Sequence, residues 1–124
     1  MTTAAVVTST PFRDLRVWQE SVELVKDVYP LCSKLLKDEL YGLASQMKRA
    51  VVSVASNIAE GHARHHRAES RHSLYIAVGS LAEIETQLHI ACELSMILKC
   101  DAAPPVARIH HLRAILLTLT RRLK

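Results

Sequence analysis

The sequence predicts an all-α protein, an antiparallel up-down-up-down bundle of four helices. Apolar residues recur at steps of three and four through nearly the whole chain. Only five aromatics, three Gly and four Pro occur, which argues against a turn-rich β-sandwich or barrel. The chain has 124 residues, 49% of them apolar and 23% charged, and so reads as one globular domain. Folding at this length buries roughly two-thirds of the unfolded chain's surface, enough for a core without staples.

The first helix is predicted on a stripe of Trp18, Val22, Val25, Tyr29, Cys32 and Leu36, with Asp14 as N-cap and Trp18 as core anchor. Pro30 removes a backbone donor inside that stripe, so a kink or an early end is expected. A break at Lys37-Asp38-Glu39 follows, and Gly42 marks a turn. The second helix is placed from Leu43 to Glu60 on Leu43, Met47, Ala50, Val54 and Ile58, and Gly61 is its expected left-handed cap. The run Ala50 to Val54 has strand propensity, but its flanks keep the helical period.

The third helix is expected from about Arg67 to Leu98. Its stripe is Leu74, Val78, Leu81, Ile84 or Glu85, Leu88 and Cys92, with Gly79-Ser80 as a small-residue contact. Cys100 to Ala103 is read as a loop, and Pro104-Pro105 as the first turn of the last helix. That helix carries Val106, Ile109, Leu112, Leu116 and Leu119 or Thr120 inward. Residues 1–11 are expected to be a disordered tail and 12–124 the bundle.

Some apolar residues lie off these stripes: Val17, Leu24 and Leu31, then Val52, Tyr75 and Leu94. A second apolar face predicts self-association. Isolated exposed leucines are also ordinary, which is the plainer reading of the same residues.

Sixteen Lys+Arg against twelve Asp+Glu give a net charge of +4, but the excess is localised. After Asp101 no acidic residue occurs, and Arg108, Arg113, Arg121, Arg122 and Lys124 contribute +5. A second cationic spot holds Arg64, Arg67 and Arg71 beside His62, His65, His66 and His72. Such clusters steer polyanions, or are simply the solvated faces of helices. On the first reading the seven arginines contact phosphates of RNA or DNA, which position a polyanion without reading its sequence. With Trp18 and Tyr29 assigned to the core, little remains for base stacking, so binding would be salt-sensitive and poorly specific. The rival reading is a scaffold that docks a partner protein, its charge incidental.

Other classes fit less well. Cys32, Cys92 and Cys100 are odd in number and form no C-x-x-C pair, which points to reduced thiols in a cytoplasmic protein. The start lacks a basic region before its short apolar patch, and no run reaches the ~18 apolar residues of a membrane span. The last helix has no Trp or Phe for a membrane surface. No nucleophile elbow or Gly-rich phosphate loop is present, so the expectation is a non-enzyme. A di-iron bundle needs two Glu-x-x-His motifs, and Glu69 to His72 is the sole such spacing. The histidines match no usual zinc spacing. No metal and no cofactor are predicted.

The run Ser56-Asn57-Ile58-Ala59-Glu60-Gly61 admits a catalytic or ligand-binding reading at Glu60. A structural one is favoured. Asn57 and Glu60 stand three apart, where they can bond neighbouring helices, while Gln46 and Arg49 can meet Glu83 or Glu85 across the bundle.

Three blocks also carry a family resemblance. They are Phe12-Arg13-Asp14-Leu15 leading to Val17-Trp18-Gln19, then Gly42 to Gly61, then Tyr75 to Leu88. Together they resemble the four-helix bundle family of bacterial proteins encoded in 23S rRNA intervening sequences. The accessory variability protein (Avd) of diversity-generating retroelements is similar to that family. The resemblance covers about residues 12–98 and implies a cytosolic all-α protein without catalytic activity, assembled as a homopentameric ring. For the Avd branch it further implies a basic surface that meets nucleic acid and a reverse transcriptase. Pro30 and the His-rich stretch 62–72 depart from the family's pattern.

Overall fold

The computed structural model describes residues 11–35, 37 and 42–123. They form four helices: α1 (Arg16–Cys32), α2 (Leu43–Ala63), α3 (Arg67–Glu93) and α4 (Lys99–Arg122). A 3-10 turn at Pro11–Asp14 leads into α1, so Pro11, expected in the tail, already belongs to a turn. No strand occurs among the described residues. Leu36 and the break at Asp38-Glu39 lie outside them, as do residues 1–10 and Lys124.

Each helix packs on its neighbours in the chain and α1 closes on α4. Contacts along each seam follow an order. Between α1 and α4, Asp27 meets Arg108 and Glu20 meets His111, and just past the end of α1 Lys34 meets Asp101. Between α2 and α3, Ser53 meets Ser80, and Gly61 approaches Ser70 and Leu74. The fully buried centre takes Leu24 and Val28 from α1, Met47, Val51, Val54 and Ile58 from α2, Leu81, Ile84 and Leu88 from α3, and Ile109, Leu112 and Leu116 from α4.

The inward face of α1 is not the expected one. Val17, Ser21, Leu24, Val28, Leu31 and Cys32 are buried, whereas Trp18, Val22 and Val25 are half-buried and Tyr29 is 40% exposed. The two faces differ by one residue around the helix, and a serine in the true stripe hid it. Ser21 is fully buried because its hydroxyl donates to the Trp18 carbonyl of the same helix. Val17, Leu24 and Leu31 are therefore core rather than a second face, while Val52, Tyr75 and Leu94 are indeed exposed. Trp18 packs at the rim of the core, edge-on to Phe12 at 5.2 Å between ring centroids.

Helix ends also differ from expectation. The N-cap of α1 is Leu15, not Asp14, and no side chain bonds there. The helix passes through Pro30 and stops two residues later. Gly61 is no cap: α2 continues to Ala63, and no glycine has positive φ among the described residues. Its smallness serves packing instead, since a Cβ there would stand 3.1 Å from Leu74 Cδ2 and 3.2 Å from the Ser70 carbonyl oxygen.

α3 ends at Glu93, five residues short of the expected end, in a Schellman motif built without glycine. Ser95 takes φ 60°, Met96 N donates to Ala91 O at 2.8 Å, and Ser95 N donates to Cys92 O at 3.0 Å. The segment expected as a loop opens α4. Asp101 N and Ala102 N both bond Leu98 O, and Ala102 is buried. Pro104 and Pro105 thus lie inside the helix, beyond the turn where a missing N–H costs nothing.

Candidate functional site

The cationic residues separate into two groups. Arg108 and Arg113, on the middle of α4, are engaged with other helices. Arg108 Nε donates to Asp27 Oδ2 at 2.9 Å, and Arg113 Nη2 to Glu85 Oε1 at 2.6 Å. His110 Nε2 lies 2.8 Å from the other Glu85 oxygen. Hydrogen bonds from Arg113 first and His110 second hold the Glu85 carboxyl below its ordinary pKa of 4.5. These two arginines join helices and are already partnered.

The other five share one pole. There α2 ends, α3 begins and α4 ends, all around one cleft. Its wall is formed by Leu15 and Val17 of the α1 entry, Ile58, Gly61 and His62 of α2, Ser70 and Leu74 of α3, and Leu119, Arg122 and Leu123 of α4. Arg71 ties two of these ends together, donating from Nη1 to the Leu123 carbonyl at 3.1 Å. Arg64, Arg67, Arg121 and Arg122 are exposed. Arg64 stands 3.7 Å from Glu69, and Arg121 Nε donates to the Leu117 carbonyl at 3.3 Å.

Sequence reading missed two members of this pole. Arg13 and Arg16 are exposed on the turn and first residue of the α1 entry, beside the Leu15 that lines the cleft. Neither lies in a charge run, so only the closing of α1 on α4 reveals them. Against these seven arginines the same segments carry Asp14, Glu60 and Glu69. His62, His65, His66 and His72 are exposed there as well. Among the described residues, no group of three or more His, Cys, Asp or Glu side chains is placed to hold a metal ion.

The polar residues of α2 act differently from the proposed cross-helix network. Asn57 Nδ2 donates within its own helix, to Ser53 O at 2.9 Å and Ser53 Oγ at 3.1 Å. The link to α3 is made by serines, Ser80 Oγ donating to Ser53 Oγ at 3.0 Å. Gln46, Arg49 and Glu83 line one open groove above that link, while Glu85 turns to α4. Glu60 is exposed at the pole, in a shallow hollow with Arg64, His65, His66 and Glu69. Gly79 makes no close contact: a Cβ there would meet nothing within 4 Å. Cys32, Cys92 and Cys100 are free thiols; burial pushes the Cys32 pKa up, with Lys48 acting against it. No helix among the described residues is long and apolar enough to cross a membrane.

Comparison with known proteins follows the fold. No curated protein matches the chain. A crystal structure of a protein of unknown function from the S23 ribosomal protein family of Bacteroides thetaiotaomicron VPI-5482 superposes with a TM-score of 0.78. It shares 20% identity, over 85% of this chain and 95% of that one, and so speaks to the fold alone. The model of the 23S rRNA-intervening sequence protein family matches residues 13–118, and the chain belongs to that family.

Proposed function

We propose that the protein is a non-enzymatic cytoplasmic accessory protein whose arginine pole binds RNA or DNA through the phosphate backbone. The observation that carries this reading is the meeting of Arg64, Arg67, Arg71, Arg121 and Arg122 at one end of the four helices, from stretches more than forty residues apart in sequence. Exposed guanidiniums on a fixed surface suit phosphates, and few aromatic rings accompany them for reading bases.

The ordered seams support an up-down-up-down course of the helices. The same reading has five bundles in a ring, joined through the exposed apolar Val52, Tyr75 and Leu94, which would repeat the pole five times. Weak contacts to one polyanion then add. A reverse transcriptase, as for Avd, is a partner of the kind this surface would serve beside nucleic acid.

The test is fluorescence anisotropy of labelled single-stranded RNA with the wild type, Arg121→Glu/Arg122→Glu and Arg113→Ala. The reading expects the double reversal to abolish binding and Arg113→Ala to retain it. Unchanged binding by the double reversal would refute the pole as the interface. Light scattering gives the mass, and a monomer at micromolar concentration would refute the ring.

A further inference from the structure

The pole carries a second feature that phosphate binding does not use. Beneath the arginines lies an open cleft of about 300 Å³, walled chiefly by aliphatic side chains. Ile58 and Leu74, each almost fully buried, and the half-buried Leu119 and Leu123 line it. Two basic side chains, His62 and Arg122, line the same cleft and are exposed at its mouth. Arg71 bonds the carbonyl of Leu123, one of the lining residues. An apolar pocket with a few convergent polar groups at its entrance is the usual form of a small-molecule site.

We infer that this cleft binds a small amphipathic carboxylate, with its apolar chain against Ile58, Leu74 and Leu119 and its carboxylate at Arg122 and His62. Charge decides the polarity of the ligand. Among the described residues no carboxylate side chain lines the cleft, so an ammonium head would meet guanidinium and imidazole without compensation. A carboxylate gains charge-assisted hydrogen bonds from Arg122 instead. Volume decides the length: a single chain of about eight carbons fits a cleft at the small end of ligand sites, and a two-chain lipid does not. The inference shares Arg122 with the nucleic-acid reading but requires the apolar cleft, not Arg64, Arg67 or Arg121, so the loss of either binding leaves the other testable.

Binding is read by isothermal titration calorimetry, because the chain's sole tryptophan, Trp18, does not line the cleft. The full-length protein is titrated with octanoate, octylammonium and 1-octanol, all below the concentrations at which they aggregate. The expected result is saturable octanoate binding, with octylammonium weaker by about tenfold or more. Arg122→Gln, at an exposed position, should weaken octanoate about tenfold and leave octanol unchanged. Leu123→Phe, which narrows the cleft, should weaken both. Failure of octanoate to saturate, equal binding of octylammonium, or octanoate affinity untouched by Arg122→Gln would each overturn the proposal.

Discussion

Arg71 of α3 donates to the carbonyl of Leu123, fifty-two residues later, at 3.1 Å. The bond lies where α3 begins and α4 ends, so it closes the pole and gives a terminal carbonyl of α4 a cationic donor. Removing the guanidinium leaves that carbonyl to water alone. Arg71→Met is expected to loosen the end of α4 without unfolding the bundle, seen as faster amide exchange confined to about the last turn. Exchange unchanged there would show that the bond does not hold the helix end.

Glycines 61 and 79 make opposite predictions. A Cβ at Gly79 meets nothing within 4 Å, so Gly79→Ala should stabilise by about 0.5–1 kcal/mol through helix propensity. At Gly61 the same methyl comes within 3.2 Å of a backbone oxygen of α3, and Gly61→Ala should cost about 1–3 kcal/mol. Urea denaturation of both variants checks the pair. Equal effects would contradict the close approach of α2 and α3.

Ser95 occupies a left-handed conformation at the end of α3, with φ 60°. A residue with a Cβ pays roughly 1–2 kcal/mol there, and glycine does not. Ser95→Gly is therefore expected to raise stability by about 1 kcal/mol, measurable as a shift in thermal midpoint. A loss of stability would mean that the turn is not built as described.

The α1 face can be tested by truncation. Leu24→Ala should cost about 2–5 kcal/mol because Leu24 is fully buried, whereas Tyr29→Ala should cost under about 1 kcal/mol. Chemical denaturation giving the reverse order would restore the stripe that the sequence first suggests.

Glu85 predicts an acid limb. Its pKa is lower folded than unfolded, so its contribution is complete above the ordinary value of 4.5 and is lost as pH falls from there through the folded pKa. The stability difference between wild type and Glu85→Gln should shrink as pH falls below 4.5. A difference that does not change across that window would show that the Arg113 and His110 bonds do not favour the ionised form.

The helices were legible in the sequence because each of α2, α3 and α4 has a stripe of large aliphatics at helical spacing, from Met47 to Ile58, from Leu74 to Leu88 and from Ile109 to Leu116. α1 misled because Ser21 is buried in a core row, its hydroxyl satisfied by its own helix, and hydrophobicity alone gives no sign of that. Boundaries failed for a similar reason. Ser95 stands where glycine normally announces a helix end, and Gly61 is a glycine retained for contact rather than for a turn. At the candidate site, Arg64 to Arg71 and Arg121-Arg122 could each be seen as charge. Their meeting could not, nor could the removal of Arg108 and Arg113 into pairs with Asp27 and Glu85, because both depend on which helices are neighbours.

The most direct measurement is the salt dependence of RNA affinity by anisotropy. The four exposed arginines of the pole, releasing counterions, should weaken binding on the order of fiftyfold between about 50 and 200 mM salt. Affinity that barely changes over that range, or no binding at the lower salt, would contradict a phosphate-binding pole.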